Sequence, residues 1–332
     1  MNEIAQILDT KYSFDREIKL LMLAYNNTLT APTSTAMYKG EDVKLGVMFA
    51  PIQANQYASI EDSTYVNYET NETNSAMAAE FNKWKALGAE MYYWKYSLDI
   101  QTNFMPFDSI SNMRATYQFA AENGVTVMND QGQYYQAVGT DWSDLKIYLK
   151  AQLAKDVDAD VDALITKFCE NVYGEGAAYM EALIEAEMSW YKTLADDRAT
   201  LDGVTYAGYV RGSGWLLAAA DGEYPELYWD DEKSGGVLGL GAEYTNDMIS
   251  GWYSNIESAL SVVTDTDTRN AIMLEGLTIR YLSLKVYGEG LTVTTTSGTS
   301  VTDSYTQLLT DAQALGVTYF GESNPLDSAD FN

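Results

Sequence analysis

Residues 74–98 read NSAMAAEFNKWKALGAEMYYWKYSL, and this stretch decides the fold class. Met77, Phe81 and Trp84 recur at helical spacing on one face, and the pattern stops at Gly88, a natural residue for the left-handed position that ends a helix. Immediately beyond it, EMYYWKYSL at 90–98 is an aromatic run of strand length. The plan repeats on both sides. Upstream, KLLMLAY at 19–25 and VKLGVMFA at 43–50 are strand-length apolar runs, the second closed by Pro51. Before them, residues 2–12 form a weakly amphipathic helix carrying Ile4, Ile7 and Leu8. Downstream, residues 109–123 carry Ile110, Met113 and Tyr117 in helical phase and stop at Gly124. Residues 125–128 are then a short fourth strand, leading into Asn129-Asp130-Gln131-Gly132. Apolar strands alternating with helices imply parallel βαβ units with buried strands. Four such units are half of an eight-fold barrel, with two open edges that invite association.

From Asp141 onward the period is helical. Trp142, Leu145, Leu149 and Leu153 line one helix, and Val161, Leu164, Ile165, Phe168 and Val172 line the next. Further helices are expected at 176–194, 242–263, 267–287 and 301–315, the last ending at Gly316. Residues 201–241 are a glycine-rich segment containing Trp215, Tyr224, Tyr228 and Trp229, and residues 290–302 (GLTVTTTSGTSVT) read as a hairpin or loop. The fold class is therefore α/β then α, divided into residues 1–140 and 141–332.

Composition narrows the chemistry. The 332 residues contain no histidine and one cysteine, Cys169. Imidazole-dependent nucleophile systems, histidine-ligated metals and intramolecular disulfides are excluded, and no cofactor is implied. A net charge of −28 repels phosphate backbones and anionic lipid surfaces, which argues against nucleic-acid and membrane-surface roles. No apolar run approaches the length of a membrane span, and residues 1–15 lack the pattern of a signal peptide.

In a βα barrel, chemistry gathers at the C-terminal strand ends. Here that rule selects Tyr25-Asn26-Asn27, PIQAN at 51–55, WKYSLD at 94–99 with Asn103, and Asp130-Gln131-Gly132. Aromatic faces beside amides and a carboxylate suit a sugar, whose ring stacks while its hydroxyls pair. Against this, Trp94 and Tyr96 can serve as packing residues, and Asp130 can cap a turn. Glycoside hydrolysis uses two carboxyl groups about 5–9 Å apart. Asp130 follows a strand directly, Asp99 lies farther out, and no adjacent pair is evident. Asp156, Asp158, Asp160 and Asp162 fail the calcium-loop pattern because Val161 and Lys167 stand where glycine and glutamate are needed. They read as helix caps, as do Asp265 and Asp267. Asp230-Asp231-Glu232 reads as a solvated loop, Cys169 as an inert packing residue, and GYVRGSG at 208–214 lacks the context of a phosphate loop.

The order of these segments resembles a bacterial family of unknown function, domain-of-unknown-function family 4838, grouped with TIM-barrel glycoside hydrolases. The matching stretches are MNEIAQILDTKY at 1–12, MLAY at 22–25, FAPIQAN at 49–55, YYWKYSLDIQTNFMPFDSISNMR at 92–114 and ENGVTVMNDQGQY at 122–134. They continue with DLKIYLKAQLAKDVDADVDALITKF at 144–168, NVYGEGAAYM at 171–180 and, more faintly, LLTDAQALGVTY at 308–319. The resemblance implies a (β/α)8 barrel related to hexosaminidases and α-glucuronidases, acting on or binding glycans. Three positions depart from the family pattern. Trp-Asp-Tyr reads Trp94-Lys95-Tyr96, Glu-Gln-Gly reads Asp130-Gln131-Gly132, and Gln53 stands where relatives carry an acid. The start of the chain aligns with the middle of the family domain, so the expectation is the second half of a TIM barrel followed by a helical C-terminal domain. Asp130 is the candidate catalytic residue, with Tyr25, Gln53, Trp94, Tyr96 and Gln131 binding the sugar. The alternative is a non-catalytic glycan-binding or scaffold protein, and either role implies a secreted or cell-surface setting.

Overall fold

The computed structural model describes residues 1–33, 36–65, 72–99, 102–133, 138–196, 198–201, 204–207, 245–322 and 324–327. Its first part is built on four strands, β1 (Ile18–Ala24), β2 (Val43–Phe49), β3 (Glu90–Tyr96) and β4 (Met128–Gln131). They form one parallel sheet in the order β1-β2-β3-β4. Helices α1 (Asn2–Lys11), α2 (Asn74–Ala86) and α3 (Met113–Glu122) accompany them.

Strand alternation separates two faces. Val43, Leu45, Val47 and Phe49 point with Met91 and Tyr93 toward the helices, where they pack on Met77, Phe81, Trp84 and Phe119. Phe81 meets Phe49 and Phe119 edge-on, at 5.4 and 5.1 Å between ring centroids. The opposite face carries Leu21 and Leu23, which remain 47% and 45% exposed, together with Tyr92, Trp94 and Tyr96 of β3. One carboxylate ties α1 to this sheet. Asp9 accepts hydrogen bonds from the Tyr38 hydroxyl and from the backbone amides of Glu41, Asp42 and Val43. These outweigh the effect of burial and hold its carboxyl below the usual range.

Three boundaries shift from the sequence expectation, one of them that of the last helix, which starts at Tyr305, not residue 301, because Ser300–Thr302 pairs as a strand. The fourth strand starts at Met128, not Val125, because the chain first closes α3. Gly124 adopts φ 73°, and the Val125 amide returns to the Ala120 carbonyl at 2.9 Å. Helix α3 itself starts at Met113, not Ser109. Asp108 takes the amides of Ile110 and Ser111, both at 2.9 Å, in a turn that precedes the helix.

The remaining described elements are mostly helical: α4 (Ser143–Lys155), α5 (Val161–Val172), α6 (Ala177–Asp196), α7 (Asn246–Val262), α8 (Thr266–Tyr287) and α9 (Tyr305–Ala314). Asp160 and Asp265 cap α5 and α8, accepting from the amides of Ala163 and Thr268. The antiparallel hairpins are β5 (Arg198–Leu201) with β6 (Val204–Ala207), β7 (Thr292–Thr294) with β8 (Ser300–Thr302), and β9 (Tyr319–Gly321) with β10 (Asn324–Pro325). Leu145, Leu149, Phe168, Leu183, Trp190 and Leu277 share one core, which also takes in Phe104 and Phe107 from the loop after β3. That loop is thereby anchored among the helices. The glycine pattern at 208–214, the aromatic residues Trp215, Tyr224, Tyr228 and Trp229, and Asp230-Asp231-Glu232 lie outside the described residues. Among the described residues, no helix is long and apolar enough to cross a membrane.

Candidate functional site at the strand ends

Parallel pairing puts the C-terminal ends of β1 to β4 along one rim. Tyr25 follows β1 directly, Gln53 lies in the turn after β2, and Trp94, Tyr96 and Gln131 occupy the last positions of β3 and β4. Tyr96 pairs in register with Gln131, and Trp94 with Asn129. The Trp94 indole N–H donates to Gln131 Oε1 at 3.0 Å. The Trp94 ring stacks on Tyr96 with centroids 6.2 Å apart and planes 27° apart. Trp94 is half-buried, whereas Tyr96 is 6% exposed. Burial pushes the Tyr96 phenol up, and the neighbouring Tyr25 and Glu322 push it the same way. Tyr25, Trp94, Tyr96 and Gln131 therefore meet in one place, an aromatic ledge braced by an amide. Gln53 sits in the turn where the Asn55 backbone N–H donates to Asn74 Oδ1 at 2.9 Å and the Gln56 side-chain amide donates to the Pro51 carbonyl at 3.0 Å.

Asp130 points the other way. It pairs in register with Lys95, on the helix side of the sheet. Lys150 Nζ of α4 lies 3.0 Å from its Oδ1, and the Tyr117 hydroxyl of α3 lies 3.4 Å from its Oδ2. Lys95 donates to Asn112 Oδ1 at 2.6 Å, and burial lowers its ammonium pKa to about 8. Burial also lowers the ammonium of Lys150, against the opposing charge of Asp130. The fourth strand's later start causes this arrangement, because it moves Asp130 from a strand end into the ladder. Asp99 is 2% exposed and accepts the Thr102 amide at 3.3 Å.

Two groups escaped the sequence reading. Glu322 reaches the rim because the C-terminal hairpin is pinned to the loop after β3. The Asn103 amide donates to the Phe320 carbonyl at 2.6 Å, and Phe104 stacks on Phe320. No local pattern announces so distant a pairing. The second group is a buried cluster where the sheet meets the helices. Trp142 donates its backbone N–H to Glu275 of α8 at 2.9 Å and its indole N–H to Glu187 of α6 at 2.6 Å. Asp141 accepts the Phe107 amide at 3.0 Å and the Lys146 ammonium. Burial pushes Glu187 up to about 8 and Asp141 up to about 6, and holds Glu275 well above the usual range. Among the described residues Glu187 Oε1 has no hydrogen-bond partner, and Glu187 borders a cavity of about 20 Å³. A signal was available: Glu187 lies in core phase between Leu183, Ile184, Trp190 and Tyr191, where a solvated acid does not belong.

Chemically, the rim can stack a flat apolar ring face and pair hydroxyls through amide and phenol groups. The interior cluster, closed off from solvent, holds the loop after β3 against α4, α6 and α8. Neither the curated proteins nor the solved structures contain a match to this chain. A family profile does match, over residues 1–185, and the chain belongs to the family described as Domain of unknown function (DUF4838).

Proposed function

We propose that this chain is a carbohydrate-active protein of the glycoside-hydrolase type whose strand-end rim binds a glycan. The observation that carries this reading is the Trp94 ledge, an indole fixed by Gln131, stacked on Tyr96 and still half-exposed at the C-terminal end of a parallel strand. Sugars present CH-rich faces to such rings, and Tyr25, Gln53 and Gln131 supply hydrogen-bonding groups beside them. In the same reading the four strands are half of a (β/α)8 barrel, and the face bearing Leu21, Leu23 and Trp94 is the barrel interior. The one-sided helix packing and the strand order support that assignment.

Binding is favoured over hydrolysis. Asp130, the acid the sequence puts forward, is ion-paired to Lys150 and aimed at the helices. General acid catalysis needs that proton at the sugar. A glycan array followed by calorimetric titration tests the reading. Trp94→Ala removes binding at the rim while the melting temperature holds, because only one ring face is lost from a half-buried site. If Trp94 is a packing residue, the same change costs about 3–5 kcal/mol and leaves glycan affinity untouched. Aryl-glycoside turnover by the chain alone is at most feeble. Robust turnover that Asp130→Asn removes would restore the hydrolytic reading.

A further inference from the structure

We propose that the groove between α6 and α7 is a second binding site, which takes a neutral oligosaccharide. The inference does not rest on the rim. Tyr179, Ala186, Ser189 and Thr193 recur on one face of α6, and Met248, Gly251, Asn255 and Ser258 recur on one face of α7. Between them, with Thr296 of the β7–β8 loop, lies a cavity of about 640 Å³. That falls in the size range of small-molecule sites. From Tyr179 to Thr193 the helix advances about 21 Å, so the groove is elongated.

Its chemistry is selective. One residue in five of this chain is charged, yet among the described residues no Asp, Glu, Lys or Arg lines the groove. The polar groups include hydroxyls from Ser189, Thr193, Ser258 and Thr296 and the amide of Asn255, groups that give or accept hydrogen bonds, while the Ser254 hydroxyl is committed to the Ser250 carbonyl and the Thr296 amide. A sugar's hydroxyls need that versatility, whereas a uronate or a basic peptide would find no counter-charge. At the edge stands Tyr179, 38% exposed, offering a ring face. Beneath, Trp190 and Trp252 cross edge-to-face at 5.5 Å and are 2% and 3% exposed, which fixes the spacing of the two helices.

Gly251 supplies the depth. A glycine inside a helix costs about 1 kcal/mol relative to alanine. Here no left-handed backbone requires it, and a Cβ built at this position meets nothing within 4 Å. What the glycine does is leave the floor of the groove open.

The test is calorimetric titration and fluorescence with maltotriose, xylotriose and tri-N-acetylchitotriose, beside a triuronate and a lysine-rich peptide. At least one neutral trisaccharide should bind. In Trp94→Ala protein, where the rim is silent, Gly251→Trp fills the groove from a position with free space and should weaken that binding at least tenfold without lowering the melting temperature. Tyr179→Ala, a surface truncation, should weaken it too and serves if the larger residue perturbs folding. Binding that survives both groove variants in Trp94→Ala protein, preference for the triuronate or the peptide, or no binding at all would overturn the proposal. Trp94→Ala separates the two sites. If it removes all sugar binding and the groove variants remove none, the groove inference falls and the rim stands; the reverse pattern spares the groove and retires the rim.

Discussion

Replacing Glu187 by glutamine should flatten the pH dependence of stability. Glu187 accepts the Trp142 indole N–H through Oε2, and Oε1 has no partner among the described residues. Burial pushes its pKa up to about 8 from an ordinary 4.5. Between those values the folded protein keeps a proton that the unfolded chain has released. Stability therefore falls as pH rises, by about 1.4 kcal/mol per pH unit and on the order of 5 kcal/mol in all once pH passes 8. Glu275, also held protonated by burial, adds to the fall in the same direction. Glutamine keeps the acceptor for Trp142 and cannot ionise. Urea unfolding followed by tryptophan emission at pH 5, 6, 7 and 8 measures the slope directly. Glu187→Gln should equal or trail the wild type at pH 5 and exceed it at pH 8. Parallel wild-type and variant curves would mean that Glu187 ionises freely in the folded protein, and the burial argument would fail.

Lys95→Met should remove an opposite trend. Its folded pKa, lowered to about 8 by burial, makes stability rise between about pH 8 and 10.5, so the variant's advantage over wild type is largest near neutrality and shrinks above pH 8 in the same urea assay. Gly40→Ala should lower the melting temperature, at a cost of about 1–3 kcal/mol, because its Cβ would fall among the carboxylate atoms of Asp9 that bind the β2 entry. Gly251→Ala, which meets nothing, should match or raise it in the same melt. Cys169 should resist a chromogenic disulfide reagent at pH 8 until the protein is unfolded, since the thiol is fully buried and its pKa is pushed up to about 12; rapid native-state labelling would show an opening that the packing does not predict.

Where sequence carried the fold, it did so through period and punctuation. Gly88, Gly124 and Gly316 all adopt positive φ at helix ends, and the helices stop there. Asp160 and Asp265 cap the helices next in the chain. The aromatic run at 90–98 contains β3 and pairs in parallel on both sides. The rim was legible for the same reason: alternation alone puts Trp94 and Tyr96 on one side, and both sit beside Gln131. The direction of Asp130 was not legible. The face Asp130 takes follows from its register opposite Lys95, and nothing local to residues 125–131 announces that pairing. Equally hidden were Glu322, delivered from the far end of the chain, and Glu187, whose burial depends on Trp142 arriving from another helix.

The start of α4 has a bearing on when parts of this molecule can form. Asp141 and Trp142 both stand at φ 55°, a left-handed pair without glycine. Such residues each cost about 1–3 kcal/mol unless the surroundings hold them. What holds Trp142 lies 45 and 133 residues farther along the chain, in Glu187 and Glu275. On a ribosome, Asp141 can already meet the Phe107 amide and Lys146, but a nascent chain that has not yet exposed Glu275 lacks the group that takes the Trp142 amide in the folded protein. The full turn is complete only when α6 and α8 are in place, which makes it a long-range contact. Glu275→Met should therefore speed unfolding and leave the refolding rate nearly unchanged in a stopped-flow chevron, the signature of a junction that governs how long the folded protein lasts more than how fast it forms.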